Sequence, residues 1–268
     1  MLKENLKTAI KASVNAGIEI MKVYQGEFEV EYKNDASPLT IADKNANDVI
    51  NSYLLKTNIP IISEENAQIN YEERKGWNKC WIVDPLDGTK EFVKRNGEFT
   101  VNIALIENGK PLLGVIYVPA SKEIYYADVL QKEAYYLQLS STKITIDAIE
   151  KKSKKILSKK VKEGEVKVVG SRSHMNKETM DFVENLKKGH NKVEIVSKGS
   201  SLKFCLVAEG KADVYPRFAP TMEWDTAAGQ AICNALGIDV ISSETNQSLQ
   251  YNKENLLNPW FLVSSNAG

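Results

Sequence analysis

The sequence is poor in the two side chains that most often build zinc sites and disulfide frameworks. It contains two histidines, His174 and His190, and three cysteines, Cys80, Cys205 and Cys233, in 268 residues. Two imidazoles cannot supply a zinc site made of several histidines. The cysteines lie far apart inside apolar stretches, which indicates reduced core residues in a reducing cytoplasm. Carboxylates are plentiful, so magnesium is the metal that the composition favours.

A net charge and a long hydrophobic run are both missing. The 35 basic and 35 acidic side chains cancel, whereas binding to a nucleic-acid polymer would call for a basic surplus. Lysines and glutamates interrupt the first twenty residues, which excludes the apolar core of a signal peptide or a transmembrane helix there. We therefore predict a soluble, cytoplasmic protein that binds a small molecule. Peripheral attachment to the inner membrane, and the choice between a monomer and a homodimer, stay open.

A buried strand that ends in carboxylates is predicted at Trp81-Ile82-Val83. Asp84 and Asp87 follow this apolar run, three residues apart. Ligands of α/β folds bind at the carboxyl ends of strands, so the pair indicates a hard cation. Gly88 and Thr89 then provide a turn and a helix N-cap, whose backbone N–H groups suit a phosphate oxygen. A strand followed by an ordinary polar turn is the alternative.

Two further segments place acidic groups at the ends of predicted elements. Ile61-Ile62-Ser63 is an apolar run that ends in Glu64 and Glu65, and Asp225 stands at the head of an alanine-rich helix. Three separated segments thus provide carboxylates of the kind that magnesium prefers.

The predicted elements divide the chain into two lobes, residues 1–150 and 151–268. In the first lobe, the patterns predict a helix over residues 2–24, a strand over 28–32, a helix from Thr40 and an antiparallel sheet from Phe99, with a hairpin turn at Asn108-Gly109. The lysine-rich residues 148–163 are interpreted as a mobile, solvated crossing. Strands and helices alternate in the second lobe, including a helix from Asp225.

These motifs together resemble the inositol monophosphatase superfamily of magnesium-dependent, lithium-sensitive phosphatases. The similarity runs from Asp35 to about Asp225, and the stretch from Asp84 to Ile106 is most similar to the bacterial 3′(2′),5′-bisphosphate nucleotidases. The resemblance implies a layered α-β-α-β-α sandwich, a mixture of α+β and α/β. It also implies hydrolysis of the 3′-phosphate of adenosine 3′,5′-bisphosphate, giving AMP and phosphate, in sulfur assimilation. The sulfated nucleotide, 3′-phosphoadenylyl sulfate, is a second candidate substrate.

The resemblance also assigns roles to individual residues. Two or three Mg²⁺ ions are implied, with Glu64, Asp84, the Leu86 carbonyl, Asp87 and Asp225 as ligands. Thr89, oriented by Asp43, would take a proton from the attacking water, and Glu64 would share in holding that water. Substrate contacts are implied for Gly88, Thr89, Ser171, His174, Gly199, Ser200, Lys203, Arg217 and Asp225. Lys203 and Arg217 would reach the second phosphate, the arginine through a bidentate fork.

Three other functions compete with this interpretation. A covalent phosphatase of the haloacid dehalogenase type places one residue between its two aspartates, whereas Pro85 and Leu86 both intervene here. An inositol monophosphatase or a sugar bisphosphatase on the same fold would share the metal chemistry, because only contacts in the second half select the alcohol. A non-catalytic nucleotide sensor would keep the substrate contacts but could lose metal ligands, and every expected carboxylate is present.

Overall fold

The computed structural model describes residues 3–32, 38–157, 164–170 and 176–265. The helices are α1 Glu4–Gln25, α2 Ile41–Leu54, α3 Tyr71–Arg74, α4 Thr89–Val93, α5 Ile146–Lys152, α6 Lys177–Gly189, α7 Leu202–Ala208 and α8 Glu223–Ala235, with a 3₁₀ turn at Leu55–Thr57. The strands are β1 Glu31–Tyr32, β2 Pro38–Leu39, β3 Ile61–Ser63, β4 Lys79–Asp87, β5 Thr100–Glu107, β6 Lys110–Val118, β7 Glu123–Asp128, β8 Glu133–Gln138, β9 Lys154–Lys155, β10 Glu165–Gly170, β11 Lys192–Ser197, β12 Val214–Arg217, β13 Asp239–Ser242 and β14 Phe261–Ser264. None of the helices described here is both long and apolar enough to cross a membrane.

The larger sheet has seven strands in the order β3-β4-β5-β6-β7-β8-β9. Strands β3 and β4 are parallel, and every later pair is antiparallel. The β5–β6 hairpin turns at Asn108 and Gly109, whose φ angles are 49° and 75°. Positive φ at both central residues is typical of the hairpin turn that Asn-Gly favours, so this prediction is confirmed.

The smaller sheet has five strands in the order β11-β10-β12-β14-β13. Strands β10, β11 and β12 are parallel, and β14 runs antiparallel to its neighbours β12 and β13. The alternation of strands and helices predicted for the second half is therefore confirmed. Helix α8 begins at Glu223, two residues before Asp225.

The two sheets and the helices form five layers. Helices α1 and α2 cover one face of the larger sheet, α7 and α8 lie between the sheets, and α6 packs on β11 and β12 of the smaller sheet. Strand β4 is buried on both faces, since Trp81 and Val83 join the core under α1 and α2 whereas Ile82 joins the core around α8. The predicted α-β-α-β-α sandwich is confirmed.

Two predicted segments differ from the structure. Residues 28–30 are not a strand, because Phe28 packs its ring 4.9 Å from that of Phe92 and only β1 pairs with β2. The lysine-rich segment is structured up to Leu157: Ile149 is a buried residue of α5, and β9 adds to the edge of the larger sheet through Lys154 and Lys155. Residues 158–163 lie outside the described part of the chain. A few apolar side chains were enough to order this segment despite its charge.

Close packing of α8 on the larger sheet depends on Gly114 in β6. A Cβ atom at this position would lie 2.5 Å from the Ala228 carbonyl oxygen and 2.7 Å from the Ala231 Cβ. Because those atoms belong to the helix body, Gly114→Ala is expected to lower the free energy of unfolding by about 1–3 kcal/mol through overpacking. Urea titration of this variant and of Gly76→Ala, whose Cβ would meet no atom within 4 Å, checks the prediction. Equal stability of the two variants would contradict it.

Candidate metal and phosphate site

Three elements bring the predicted carboxylates together at one edge of the larger sheet. Parallel pairing of β3 and β4 ends with the Glu64 N–H donating to the Val83 carbonyl at 3.2 Å, which sets Glu64 beside Asp84. The pairing of β4 with β5 is irregular between Asp84 and Asp87, so the strand bends where its carboxylates stand. Asp225 enters from the first turn of α8.

The aspartates of this edge form a compact cluster. One carboxylate oxygen from each of Asp84, Asp87 and Asp225 lies within 4.8 Å of the others. Each aspartate also accepts a backbone hydrogen bond: from Leu86 to Asp84 Oδ1 at 3.0 Å, from Ser201 to Asp87 Oδ2 at 2.5 Å, and from Met222 to Asp225 Oδ2 at 2.8 Å. The orientation of every carboxylate is thereby fixed by main chain.

The electrostatics of the cluster indicate a cation. Burial, followed by the charges of Glu64, Asp87 and Asp225, raises the pKa of Asp84 well above its usual range. Burial likewise raises the pKa of Asp87, and it raises that of Asp225 to about 8. Among the ion pairs of the described residues, none involves these three aspartates. The charges of Lys203 and Arg217 offset only part of the upward shift at Asp87. An all-carboxylate donor set of this kind fits Mg²⁺, which prefers oxygen ligands.

The predicted proton-transfer pair lies beside the cluster. Thr89 Oγ1 is 3.3 Å from Asp43 Oδ1 and also 3.3 Å from the Leu86 carbonyl oxygen. Asp43 is almost fully buried, and its Oδ2 accepts hydrogen bonds from the Thr40 N–H at 2.7 Å and the Thr40 hydroxyl at 2.8 Å. The cap of α2 therefore aims the other Asp43 oxygen at Thr89, which is the contact that the resemblance predicts. The catalytic role of this pair stays a prediction.

A cavity lies next to the acidic cluster. Residues of both halves of the chain line it, among them Asp87, Gly88, Ser200, Lys203, Arg217 and Asp225. Gly88, at the start of α4, has a φ of 90°. Gly199 does not line the cavity: its N–H donates to Glu98 Oε2 at 2.8 Å, which fixes the loop that presents Ser200. The predicted contacts Ser171 and His174 lie outside the described residues.

Two polar atoms of the cavity wall have no partner. The Ser200 hydroxyl and the Arg217 Nε are buried without a hydrogen bond among the described residues, although an Arg217 Nη donates to the Pro220 carbonyl at 3.0 Å. Buried polar atoms are nearly always hydrogen-bonded in native proteins, so each exception requires an explanation. Both residues line the cavity, so an anion bound there would lie next to them.

Lys203 is the buried cation of this wall. It is 5% exposed, its Nζ donates to the Ser200 carbonyl at 2.5 Å, and it lies 5.6 Å from the centre of the Tyr215 ring. Burial lowers the pKa of Lys203 to about 8, and the nearby Asp87 partly opposes that shift. Lys203 therefore already holds the loop in place, in addition to its predicted contact with a phosphate.

The sequence did not reveal several polar residues that surround the cluster. Thr100 and Asn102 are buried in β5 beside Asp87, Ser201 is buried at the start of α7, and Glu91 lines the cavity. A signal was present for two of them, because Thr100 and Asn102 are the polar positions in a strand that is otherwise apolar up to Ile106. Nothing in the local sequence could pair them with Ser201, about a hundred residues away.

Comparison with known proteins yields a family model and close relatives. The model described as "Inositol monophosphatase family" matches residues 1–264. The chain is 44% identical over 267 residues to the 3′(2′),5′-bisphosphate nucleotidase CysQ of Salmonella typhimurium, covering 97% of this chain and 99% of that protein. It is 33% identical over 263 residues to CysQ of Haemophilus influenzae, covering 96% and 91% of the two chains. The family predicted from the sequence motifs is confirmed.

Solved structures agree with this result. The crystal structure of CysQ from Bacteroides thetaiotaomicron, described as a bacterial member of the inositol monophosphatase family, superposes with a TM-score of 0.88 at 48% identity and covers 98% of this chain and 97% of that one. An inositol monophosphatase from Thermotoga maritima, at 23% identity and a TM-score of 0.74, covers 98% and 92% and shows the shared fold alone. The fold therefore extends beyond the nucleotidases.

Proposed function

The chain belongs to the inositol monophosphatase family, and on that premise we propose that it is a magnesium-dependent 3′(2′),5′-bisphosphate nucleotidase. It removes the 3′-phosphate of adenosine 3′,5′-bisphosphate, giving AMP and phosphate. The observation that carries the proposal is a cavity lined both by Asp87 and Asp225 of the acidic cluster and by the basic pair Lys203 and Arg217. Two phosphates of one nucleotide need two such environments, because the metals neutralise only the one that is cleaved.

The acidic cluster and its neighbours would hold two or three Mg²⁺ ions. Their ligands would be Glu64, Asp84, the Leu86 carbonyl, Asp87 and Asp225. When bound, Mg²⁺ acts as a Lewis acid on the phosphoryl oxygens and offsets the charge that otherwise repels a nucleophile. The chain itself positions the ligands. Backbone hydrogen bonds orient the aspartate side chains, and the bend of β4 separates Asp84 from Asp87.

Thr89 and Asp43 would move the proton of the attacking water. As Thr89 Oγ1 takes that proton, the hydroxyl hydrogen of Thr89 passes to Asp43 Oδ1, 3.3 Å away. Asp43 is therefore the final base, and Thr89 passes the proton on. The Thr89–Asp43 pair gains one proton in total, the one that the water gives up. The two donors of Thr40 keep the Asp43 carboxylate oriented throughout. Glu64 would help to hold the water.

The other residues would bind the nucleotide. The backbone N–H groups of Gly88 and Thr89 would hold the scissile phosphate, while Ser200, Lys203 and Arg217 would bind the second phosphate, which satisfies the unpartnered Ser200 hydroxyl and Arg217 Nε. Gly199 would support the loop. Ser171 and His174 remain predicted nucleotide contacts. On this reading, residues 1–150 form the metal-binding lobe and residues 151–268 supply Asp225 and most substrate contacts.

Phosphate release from a panel of substrates tests the proposal. The panel contains adenosine 3′,5′-bisphosphate, 3′-phosphoadenylyl sulfate, inositol 1-phosphate and fructose 1,6-bisphosphate. We expect kcat/KM to be highest for one of the two nucleotides, since they combine the second anion that inositol 1-phosphate lacks with the adenosine that fructose 1,6-bisphosphate lacks. A preference for inositol 1-phosphate or the sugar bisphosphate would replace the proposal with the corresponding activity. We place the reaction in cytoplasmic sulfur assimilation, and sedimentation of the purified protein would decide between monomer and homodimer.

Lithium is expected to slow turnover. The resemblance to lithium-sensitive phosphatases motivates this prediction: a small monovalent ion could occupy the position near Asp87 and Asp225 after phosphoryl transfer and delay product release. Steady-state rates are to be compared in lithium chloride and sodium chloride at equal ionic strength. Equal rates in the two salts would count against it.

A further inference from the structure

Ser201 connects the two halves of the molecule at a predicted metal ligand. It is 2% exposed and precedes α7, in the loop that carries Gly199 and Ser200. Its N–H donates to Asp87 Oδ2 at 2.5 Å, and its hydroxyl lies 2.7 Å from Asn102 Oδ1 and 2.8 Å from Thr100 Oγ1. Asp87, Thr100 and Asn102 all belong to the larger sheet, so one serine fastens the substrate loop to the metal-binding strand.

Strand pairing explains why these polar groups meet. Across β4 and β5, Asp87 pairs with Thr100 and Asp84 pairs with Asn102. Thr100 Oγ1 and Asn102 Nδ2 each lie 3.4 Å from Asp87 Oδ2. Together with the Ser201 N–H, three groups able to donate a hydrogen bond lie within reach of that one oxygen. The other oxygen of Asp87 is the one left for a cation.

The Asp87 carboxylate sets the direction of the hydrogen bonds made by Asn102 and Ser201. A carboxylate accepts, so the Asn102 amide turns its Nδ2 to Asp87 and its Oδ1 to Ser201. Ser201 must then donate its single hydroxyl hydrogen to Asn102 Oδ1. The Thr100 hydroxyl is left as the donor, to Ser201 Oγ or to Asp87 Oδ2. Ser201 thus donates to Asn102, which in turn donates to Asp87. Removing the Ser201 hydroxyl would leave the buried Asn102 Oδ1 without this hydrogen bond.

We propose that Ser201 is a positioning residue for the metal site: with Thr100 and Asn102, its hydroxyl keeps the Ser201 N–H on Asp87 Oδ2, which presents the other Asp87 oxygen to Mg²⁺. The inference rests on the proposed function only in identifying the cation. Partners of this kind, one step removed from the metal, typically change metal affinity by about 10- to 100-fold when they are lost. Because the same serine anchors the loop, its loss also displaces Ser200 from the phosphate.

Calorimetric titration with Mg²⁺ in the absence of nucleotide tests the role of Ser201. We expect Ser201→Ala to raise the Kd for Mg²⁺ by about tenfold or more. Ser242→Ala is the matched control, since Ser242 is also 2% exposed and its hydroxyl, within the described part of the chain, accepts from the backbone N–H groups of Glu244 and Thr245 and contacts no group of the acidic cluster. A merely structural role for Ser201 would lower the melting temperature and leave the Kd unchanged. A Kd within about twofold of wild type, or no Mg²⁺ binding by wild type, would overturn the proposal.

Thr100 provides an independent pair of variants should Ser201→Ala fail to fold. Thr100→Val removes the hydroxyl and keeps the shape of the side chain, whereas Thr100→Ser keeps the hydroxyl. Weaker Mg²⁺ binding by Thr100→Val, with recovery in Thr100→Ser, supports the network, and equal Kd values for the two variants overturn it. No substrate is present in these titrations, so their result does not depend on which substrate the panel identifies.

Discussion

Asp84→Asn is expected to abolish phosphate release while making the metal-free protein more stable. Asp84 is 1% exposed, and its Oδ1 accepts the Leu86 N–H at 3.0 Å, a bond that an asparagine oxygen preserves. The substitution therefore removes charge with little change in shape. Loss of residues that only contact a metal ligand typically costs about 10- to 100-fold in activity. Asp84 would itself be a ligand, so its loss should lower turnover by more than about 100-fold.

Removal of charge explains the expected gain in stability. Four carboxylates meet at this site, and burial together with Glu64, Asp87 and Asp225 raises the pKa of Asp84. Asparagine removes the free-energy cost of ionising a buried carboxylate, for a gain of about 1–2 kcal/mol that grows as the pH rises. For a chain of this size, each kcal/mol shifts the melting temperature by about 2–4 °C.

The pH dependence of the metal-free protein follows from the same pKa shifts. Because folding raises the pKa of Asp225 to about 8, the stability from its protonated form is fully present below the unfolded pKa near ~4 and is lost as the pH rises through about 8. Wild-type protein without metal should therefore melt at a lower temperature at pH 8 than at pH 6. Added Mg²⁺ should raise the melting temperature more at pH 8, where the carboxylates are ionised.

Turnover and thermal unfolding of Asp84→Asn, with and without Mg²⁺, measure both effects. Asp239→Asn, at an exposed position of β13, is the control and should match wild type in every assay. Wild-type turnover in Asp84→Asn would remove Asp84 from the site. A lower melting temperature of its metal-free form would show that the buried charges are balanced within the protein.

Elements with strong local signals could be predicted from the sequence. Asn108-Gly109 fixed the central hairpin through its backbone preference, and the apolar run before Asp84 located the strand that organises the site. Three element ends rich in carboxylates were expected to converge, and one oxygen each of Asp84, Asp87 and Asp225 lies within 4.8 Å of the others. Such features depend on a few neighbouring residues.

Features that depend on distant partners could not be predicted. Helix α5 buries its own Ile146 and Ile149 in the core, and the lysines that follow conceal this short apolar face in the sequence. The bond between the Ser201 N–H and Asp87 spans 114 residues. The contact of Lys203 with the Ser200 carbonyl requires Ser200 to adopt a φ of 45°, which a serine seldom does. Only the folded chain shows these interactions.

The second large effect is expected for Lys203→Ala, which should reduce selectivity for a nucleotide bisphosphate. A charge-assisted hydrogen bond to the second phosphate is worth about 1.5–3 kcal/mol, or roughly a ten- to hundredfold change in kcat/KM. Inositol 1-phosphate carries no second anion, so its kcat/KM should change far less. Both substrates would present their scissile phosphate to the same metal site. An effect of the substitution on that site would therefore change both kcat/KM values equally and leave their ratio unchanged.

Two further measurements separate the charge of Lys203 from its structural contacts, since its Nζ also holds the Ser200 carbonyl and its stem packs near Tyr215. Lys203→Met keeps most of the packing without the charge and should lose selectivity as Lys203→Ala does. In wild type, the pKa of Lys203 is lowered to about 8, so the positive charge of this side chain is lost as the pH rises above 8. The ratio of kcat/KM for the bisphosphate to that for the monoester should therefore fall between pH 7 and pH 9, because kcat/KM follows ionisation of the free enzyme. An equal loss for both substrates in Lys203→Met, with a ratio independent of pH, would assign Lys203 to holding the loop and leave the second phosphate to Arg217.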